Sequence, residues 1–366
     1  MAAGEAGGIT QKISVFQHKN ADGDTFTFID TPGHAAFRKM RQRGSMVTDV
    51  VILVVAATEG VMPQTVESIQ HIKAAQVPVI VAINKIDQSH ANVQSCLDEL
   101  FEHDIVAESL GGNVQVVPIS ALKGIGLENL VESLNAQCML IDLKADTEGP
   151  CQGTVVEIHN AKGMKSAVVL VQNGSLKAGD GLLSDMSGTR VKRLQTIEGE
   201  NVQKALPGMP VVTSGWTDLP RVGDPVSQID IKEMKAELKR RKEKEEAQKQ
   251  EWLRILKSDP SIKHEQYMKD KGRKRVSFMI QADCIGSVEV INDMLGFKNP
   301  DLEANVFSYK ITPFNAADIK IAEAIDAQLI CFNSPLGILA SDNIGCTVYH
   351  HDVIYHLGST QNITTF

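Results

Sequence analysis

Two apolar runs constrain most strongly how this chain can fold: Val50-Val51-Ile52-Leu53-Val54-Val55 and Val77-Pro78-Val79-Ile80-Val81-Ala82-Ile83. Neither alternates with polar residues, so each reads as a strand buried on both faces, as in a parallel sheet covered by helices. From Thr25 to about Asn135 short apolar runs alternate with helical patterns, ending in Leu127, Leu130, Val131 and Leu134 at helical spacing. The expected class for this region is α/β.

After Gly149-Pro150 the texture changes to short β-rich segments broken by turns: Gly153 to Ile158, Ser166 to Gln172, Gly181 to Ser184, Arg190 to Thr196, Met209 to Ser214 and Pro225 to Ile229. Strands this short and evenly spaced predict a small antiparallel barrel. Ile231 to about Lys257 lacks Gly and Pro and interleaves Lys and Arg with Glu, which predicts a largely solvated helix between domains, ended by Asp259-Pro260. Contact of its basic residues with RNA is the rival reading. Arg275 to Gln281 and Gln328 to Phe332 then read as strands, and Ser287 to Leu295 and Ala317 to Ile325 as helices, of a second, smaller α/β unit. The expected domains are 1–145, 150–230, a linker helix 231–258, and 274–358.

A formal net charge of -8 argues against a uniformly basic, nucleic-acid-coating surface. The six cysteines stand apart with no CxxC pair and read as reduced core thiols. No apolar run approaches the roughly 20 residues needed to span a bilayer, so no membrane partner is expected. Met1 to Gly8 has neither transit-peptide nor signal-peptide character.

Three motifs lie where strands end. Asp30-Thr31-Pro32-Gly33-His34 follows Phe26-Thr27-Phe28-Ile29. A carboxylate there can hold Mg2+ through water, the Gly33 N–H can approach a terminal phosphate, and His34 would lie beside an attacking water. Asn84-Lys85-Ile86-Asp87 follows the strand ending at Ile83. The Asp87 carboxylate can accept from guanine N1–H and its exocyclic amine while Asn84 and the Lys85 stem frame the base; adenine lacks those donors. Ser120-Ala121-Leu122 follows Val114 to Ile119 and offers a backbone N–H to guanine O6. Each has a plainer reading, as helix cap, polar loop and turn, but their order at successive strand ends favours a nucleotide site.

These motifs resemble those of translation initiation factor 2. Ala2 to Gln11 is similar to that family's first switch segment, and Asp30 to Phe37 with Met40-Arg41-Gln42-Arg43-Gly44 to its second. Val61-Met62-Pro63-Gln64-Thr65 and Gln172-Asn173-Gly174 are also similar to it. Ser120-Ala121-Leu122 and Met209-Pro210 with Ser214 to Pro220 resemble its mitochondrial branch in particular. The resemblance implies an incomplete P-loop GTPase domain on a parallel sheet, an antiparallel β-barrel, a linker helix and a second small α/β domain. It assigns Thr10 to Mg2+ and the terminal phosphate, Asp30 to Mg2+, Gly33 to the phosphate, and His34 to orienting the hydrolytic water. Asn84, Lys85, Asp87, Ser120, Ala121 and Leu122 fall to the base of GTP.

No Gly-x-x-x-x-Gly-Lys-Ser/Thr occurs in residues 1–366; Lys162-Gly163-Met164-Lys165-Ser166 has the wrong spacing. The resemblance therefore implies truncation at both ends, without the phosphate-binding loop and without the small barrel that binds initiator tRNA. Loss of a strand between the one ending at Asp30 and that from Val50 to Ala56 is expected to leave two bare edges and a poorly folded first domain. Two functions follow as expectations. One is a GTP hydrolase of the mitochondrial matrix, a monomer promoting initiator tRNA binding and joining of the small and large ribosomal subunits. The other is a noncatalytic ribosome-binding fragment. His350, His351 and His356 lack the spacing of a metal site, and Ser287 reads as a helix cap.

Overall fold

Val81 and Ile83 face one side of their strand and Ile80 and Ala82 the other, and all four are fully buried in the computed structural model. That two-sided burial is why the run carries no polar residue. It belongs to a three-stranded parallel sheet, β3 (Val51–Ala56), β4 (Val79–Asn84) and β5 (Gln115–Pro118), in the order β3-β4-β5. One face packs Leu53, Val55, Val81 and Ile83 against Ile69 and Ile72 of α2 (Pro63–Ala75) and Cys96 and Leu100 of α3 (Val93–Glu102). The other packs Ile80, Ala82 and Val117 against Leu134 of α4 (Leu127–Ile141).

The structure describes residues 10, 13–20, 23–161, 164–258, 274–297, 302–340 and 345–354. Two compact units emerge: 13–145, and 146–366 together with 1–12.

In the first unit β1 (Ser14–Lys19) and β2 (Thr25–Asp30) form their own antiparallel hairpin, Ser14 opposite Asp30, while α1 (Arg38–Val47) follows the turn after β2. Among the described residues β2 pairs only with β1 and β3 only with β4, and Val54 of β3 is 57% exposed. Both edges expected to be bare are thus seen. The hairpin still packs: Phe26 and Phe28 join the Ile80–Val117 cluster, and Phe28 stacks on Phe16 with ring centroids 5.2 Å apart.

In the second unit, residues 152–229 hold a seven-stranded antiparallel sheet. Its strands are β6 (Gln152–Ala161), β7 (Met164–Asn173), β9 (Gly181–Leu183), β10 (Gly188–Arg190), β11 (Arg193–Gln195), β13 (Pro210–Ser214) and β14 (Pro225–Ile229), in the order β10-β9-β14-β6-β7-β13-β11. With the short pair β8 (Leu176–Lys177) and β12 (Lys204–Ala205) it curls over Val155, Val169, Leu182, Val211 and Trp216 as a half-barrel. The turn after β7 needs glycine. Gly174 has φ +71°, and a Cβ there would stand 2.2 Å from Pro150 O.

The charged helix exists as α5 (Ile231–Ser258), capped by the Asp230 carboxylate on Lys232 N–H at 2.7 Å. Its i,i+4 pairs, Glu237–Arg241 and Lys239–Glu243, are present. Its first turns are docked rather than solvated. Met234 is buried, a Cβ on Gly188 would meet Leu238 and Met234 at 2.8 and 2.9 Å, and Arg241 donates to Ser184 O and Asp185 O. Arg241 is therefore used within the chain, unlike a residue reserved for RNA.

The last sheet of the second unit is fully parallel, in the order β16 (Leu302–Lys310), β15 (Lys274–Ala282), β17 (Ala327–Phe332), β18 (Val348–His351), with α6 (Ile285–Phe297) and α7 (Ala316–Ala324) as crossovers. The strand β16 is an addition to the elements expected from the sequence. His350 and His351 do sit in a strand; His356 lies outside the described residues. Ser287 is inside α6, not its cap: its hydroxyl donates back to the Asp283 carboxylate at 2.8 Å.

Candidate functional site

β4 ends at Asn84 beside the end of β5, so two sequence motifs meet at the carboxyl end of one sheet. Asn84 Oδ1 accepts from Lys85 N–H at 2.8 Å and from Ala121 N–H at 3.0 Å. The fully buried Ser120 hydroxyl donates to Asp87 Oδ1 at 2.7 Å and accepts from Lys123 N–H at 3.2 Å. That hydroxyl is the main cause holding the Asp87 carboxyl below its ordinary pKa, so the group is anionic at neutral pH. Lys85 takes a left-handed backbone, φ +66°, a conformation of order 1 kcal/mol above the right-handed one for a side chain of this type. Its Nζ reaches Glu59 Oε1 at 2.8 Å, a partner the sequence motifs did not single out.

The backbone donors of 120–122 need correction. Ser120 N–H is bound to Ile125 O at 2.9 Å and Ala121 N–H to Asn84. A ligand carbonyl must displace Asn84 to use Ala121, or take Leu122 N–H, whose side chain is 89% exposed. The turn reading and the binding reading of Ser120 are compatible, because the residue that closes the 120–125 turn also orients Asp87.

A second cluster stands where β2 ends. Asp30 is half-buried, and burial raises its pKa against the opposing Thr31 N–H. Gly33 is exposed, and a Cβ built there meets nothing within 4 Å, so its main chain is open to approach. His34 caps the short turn Ala35–Phe37: its Nδ1 accepts from Ala36 N–H at 3.1 Å. Burial first, then the Arg41 charge, lowers the His34 pKa, so the ring is neutral at pH 7 with its proton on Nε2. In that tautomer Nε2 can hold a water by donating to its oxygen but cannot take the water's proton.

Arg41 stands in the sequence only as part of a motif, yet it organises this cluster. It is 7% exposed, and Nη1 donates to Pro32 O at 3.0 Å and His34 O at 2.5 Å while Nη2 donates to Glu67 Oε1 at 2.9 Å. Its Nε is buried without an acceptor. The structure joins 84, 87, 120 and 121 in one cluster and 30, 33 and 34 in another; Thr10 falls in the other compact unit. A hollow of about 500 Å³ between Glu108, Gln115 and Val117 on one side and Asn129, Glu132 and Ser133 on the other contains none of these residues.

A parallel-sheet unit with these strand-end loops, followed by an antiparallel half-barrel and a small parallel α/β unit, defines the translational GTPase fold. Three family models match in series: the Elongation factor Tu GTP binding domain over 1–139, Elongation factor G domain 2 over 150–229, and Translation-initiation factor 2 over 255–360. Elongation factor SelB from Methanococcus maripaludis, solved in complex with the GTP analogue GppNHp, is similar in fold, with TM-score 0.50 and 23% identity over 60% of this chain and 49% of that one. Translation initiation factor IF-2 of Rhodospirillum rubrum is 38% identical over 97% of this chain, and that of Methylocella silvestris 40% over 98%. The chain spans 41% of the length of each of these relatives. Nearly the whole chain is thus similar to translation initiation factors IF-2, and residues 255–360 match that family's own model.

Proposed function

We propose that the 84–87 and 120–121 loops read the guanine of GTP, and that the chain acts in translation initiation on the ribosome as a GTPase. The observation that carries this reading is the Asp87 carboxylate, ionised and held in place by the buried Ser120 hydroxyl at 2.7 Å. Only a base with two adjacent donors matches that carboxylate, which selects guanine over adenine.

The second cluster fits the phosphate end. Gly33 presents an unobstructed main chain, and neutral His34 can orient a water without acting as its base. Mg2+, which polarises the phosphoryl oxygens when bound, would find one carboxylate here, Asp30; the ion's charge opposes the burial that raises its pKa. Among the described residues no group of three His, Cys, Asp or Glu could hold a metal alone. Thr10 is the further ligand that the family resemblance implies.

The Ser120-Ala121-Leu122 and Ser214 to Pro220 segments support a mitochondrial matrix protein, working as a monomer at the faces of the small and large subunits. Initiator tRNA is the proposed partner of the whole protein. A second reading is a ribosome-binding chain that does not load GTP.

Equilibrium titration with fluorescent GTP and ATP analogues separates them. The expected result is submillimolar binding of the guanine analogue, with the adenine analogue about tenfold or more weaker, the scale of mismatched buried hydrogen bonds. Equal or undetectable binding of both leaves the second reading standing.

A further inference from the structure

Gly33 is the open point of the 30–34 turn: it is exposed, carries no side chain and touches nothing where a Cβ would be. The Arg41 guanidinium grips the main chain on both sides of it, at Pro32 O and at His34 O. Its remaining terminal nitrogen is held by Glu67 of α2, which also receives His71 Nε2 at 3.3 Å and stands 3.6 Å from Arg38 Nε. The turn, α1 and α2 are thereby tied by one buried fork. We infer that Arg41, held by Glu67, is the positioning residue for His34, fixing the main chain that carries the imidazole.

The geometry argues for positioning rather than simple core filling. Two of the three acceptors are backbone carbonyls of the turn itself, one of them belonging to His34. Two of the ring's contacts, Ala36 N–H to Nδ1 and an edge-on approach to buried Phe37 at 6.3 Å, bear on its rotation relative to 35–37. The Arg41 fork, by contrast, holds the carbonyls of Pro32 and His34, the main chain on either side of Gly33. Only a planar, forked donor reaches three such acceptors at once, so Lys keeps the charge but not the grip.

The inference deepens the proposed function and rests on it only in its hydrolysis arm. In the full chain, Arg41→Lys, Glu67→Ala and Glu67→Gln are compared by amide hydrogen exchange at 33–37 and at 80–83, and by nucleotide Kd and single-turnover GTP hydrolysis. Arg41→Lys and Glu67→Ala are expected to speed exchange at 33–37 about tenfold, leave 80–83 unchanged, and slow hydrolysis about tenfold with Kd within about threefold. Glu67→Gln, which keeps an acceptor for Nη2, is expected to stay within about threefold of the parent throughout. Unchanged exchange at 33–37 in Glu67→Ala overturns the inference. So does an equal rise at 80–83, the mark of a merely structural residue. If the parent binds no nucleotide, the proposed function fails while the exchange comparison still decides the role of Arg41.

Discussion

Asp87→Asn is expected to weaken binding of a guanine nucleotide by about a hundredfold or more, because two hydrogen bonds to an ionised carboxylate are replaced by one neutral acceptor and one amide that opposes the base's own donors. The same variant should bind the xanthine analogue better than the guanine one. Xanthine has a carbonyl where guanine has its exocyclic amine, and a side-chain amide at position 87 can donate to it. Ser120 can still donate to the carbonyl oxygen of that amide, so the loop should keep its shape. Competition of the guanine and xanthine triphosphates against a fluorescent analogue checks this. A hundredfold loss for guanine without any gain for xanthine would indicate a collapsed loop rather than a changed reader.

Gln281→Leu should destabilise the 274–354 region by about 1–3 kcal/mol, the cost of leaving a buried hydrogen-bonding group without its partner. Gln281 is fully buried. Its Oε1 accepts from Phe314 N–H at 2.7 Å, and its Nε2 donates to Ser334 Oγ at 2.8 Å and to Pro335 O at 2.9 Å. One amide thus ties the loops that follow β16 and β17 to the end of β15. Leucine conserves the volume but leaves a buried N–H without an acceptor. Native-state hydrogen exchange at Met279–Gln281 and Leu329–Cys331 reports this unit separately from the rest of the chain. A change below about 1 kcal/mol would contradict the assigned role.

Much of this architecture is legible in the sequence because it is written locally. The unbroken apolar character of 77–83 requires burial on both faces, and the structure divides it between two clusters residue by residue. Three motifs at strand ends point to where a site could be, and Asn84, Asp87, Ser120 and Ala121 do meet. β16 escapes a reading of the sequence because it is an edge strand with Asn305, Phe307 and Tyr309 outward, so its alternation reads as mixed polarity rather than as a buried run. A bulge after Phe278 breaks the pairing register as well. The docking of α5 is hidden because its burial rests on Met234 and Leu238 meeting Gly188, a partner more than forty positions away.

The functional side chains that escape notice share that property. Arg41 reads as one more surface cation in Met40-Arg41-Gln42-Arg43. Only Glu67, Pro32 and His34 around it reveal a buried fork. Glu59, partner of the Lys85 ammonium, lies 26 positions before it. The consumption of Ser120 and Ala121 N–H groups within the protein is equally invisible until the loops are in place. Motifs announce which groups a site needs, whereas the contacts that orient those groups come from distant sequence and leave no local pattern.

Recognition of a guanine base by Asp87 at the ends of β4 and β5 is the central claim, and one titration tests it directly. Backbone amide chemical shifts of the full chain, followed as a non-hydrolysable GTP analogue is added, locate the ligand. Saturable shifts are expected at Asp87, Ala121, Leu122 and Lys123, with Gly33 and His34 moving in the same titration. Shifts confined to the hollow between Gln115 and Glu132, or none at any concentration up to millimolar, would contradict that claim.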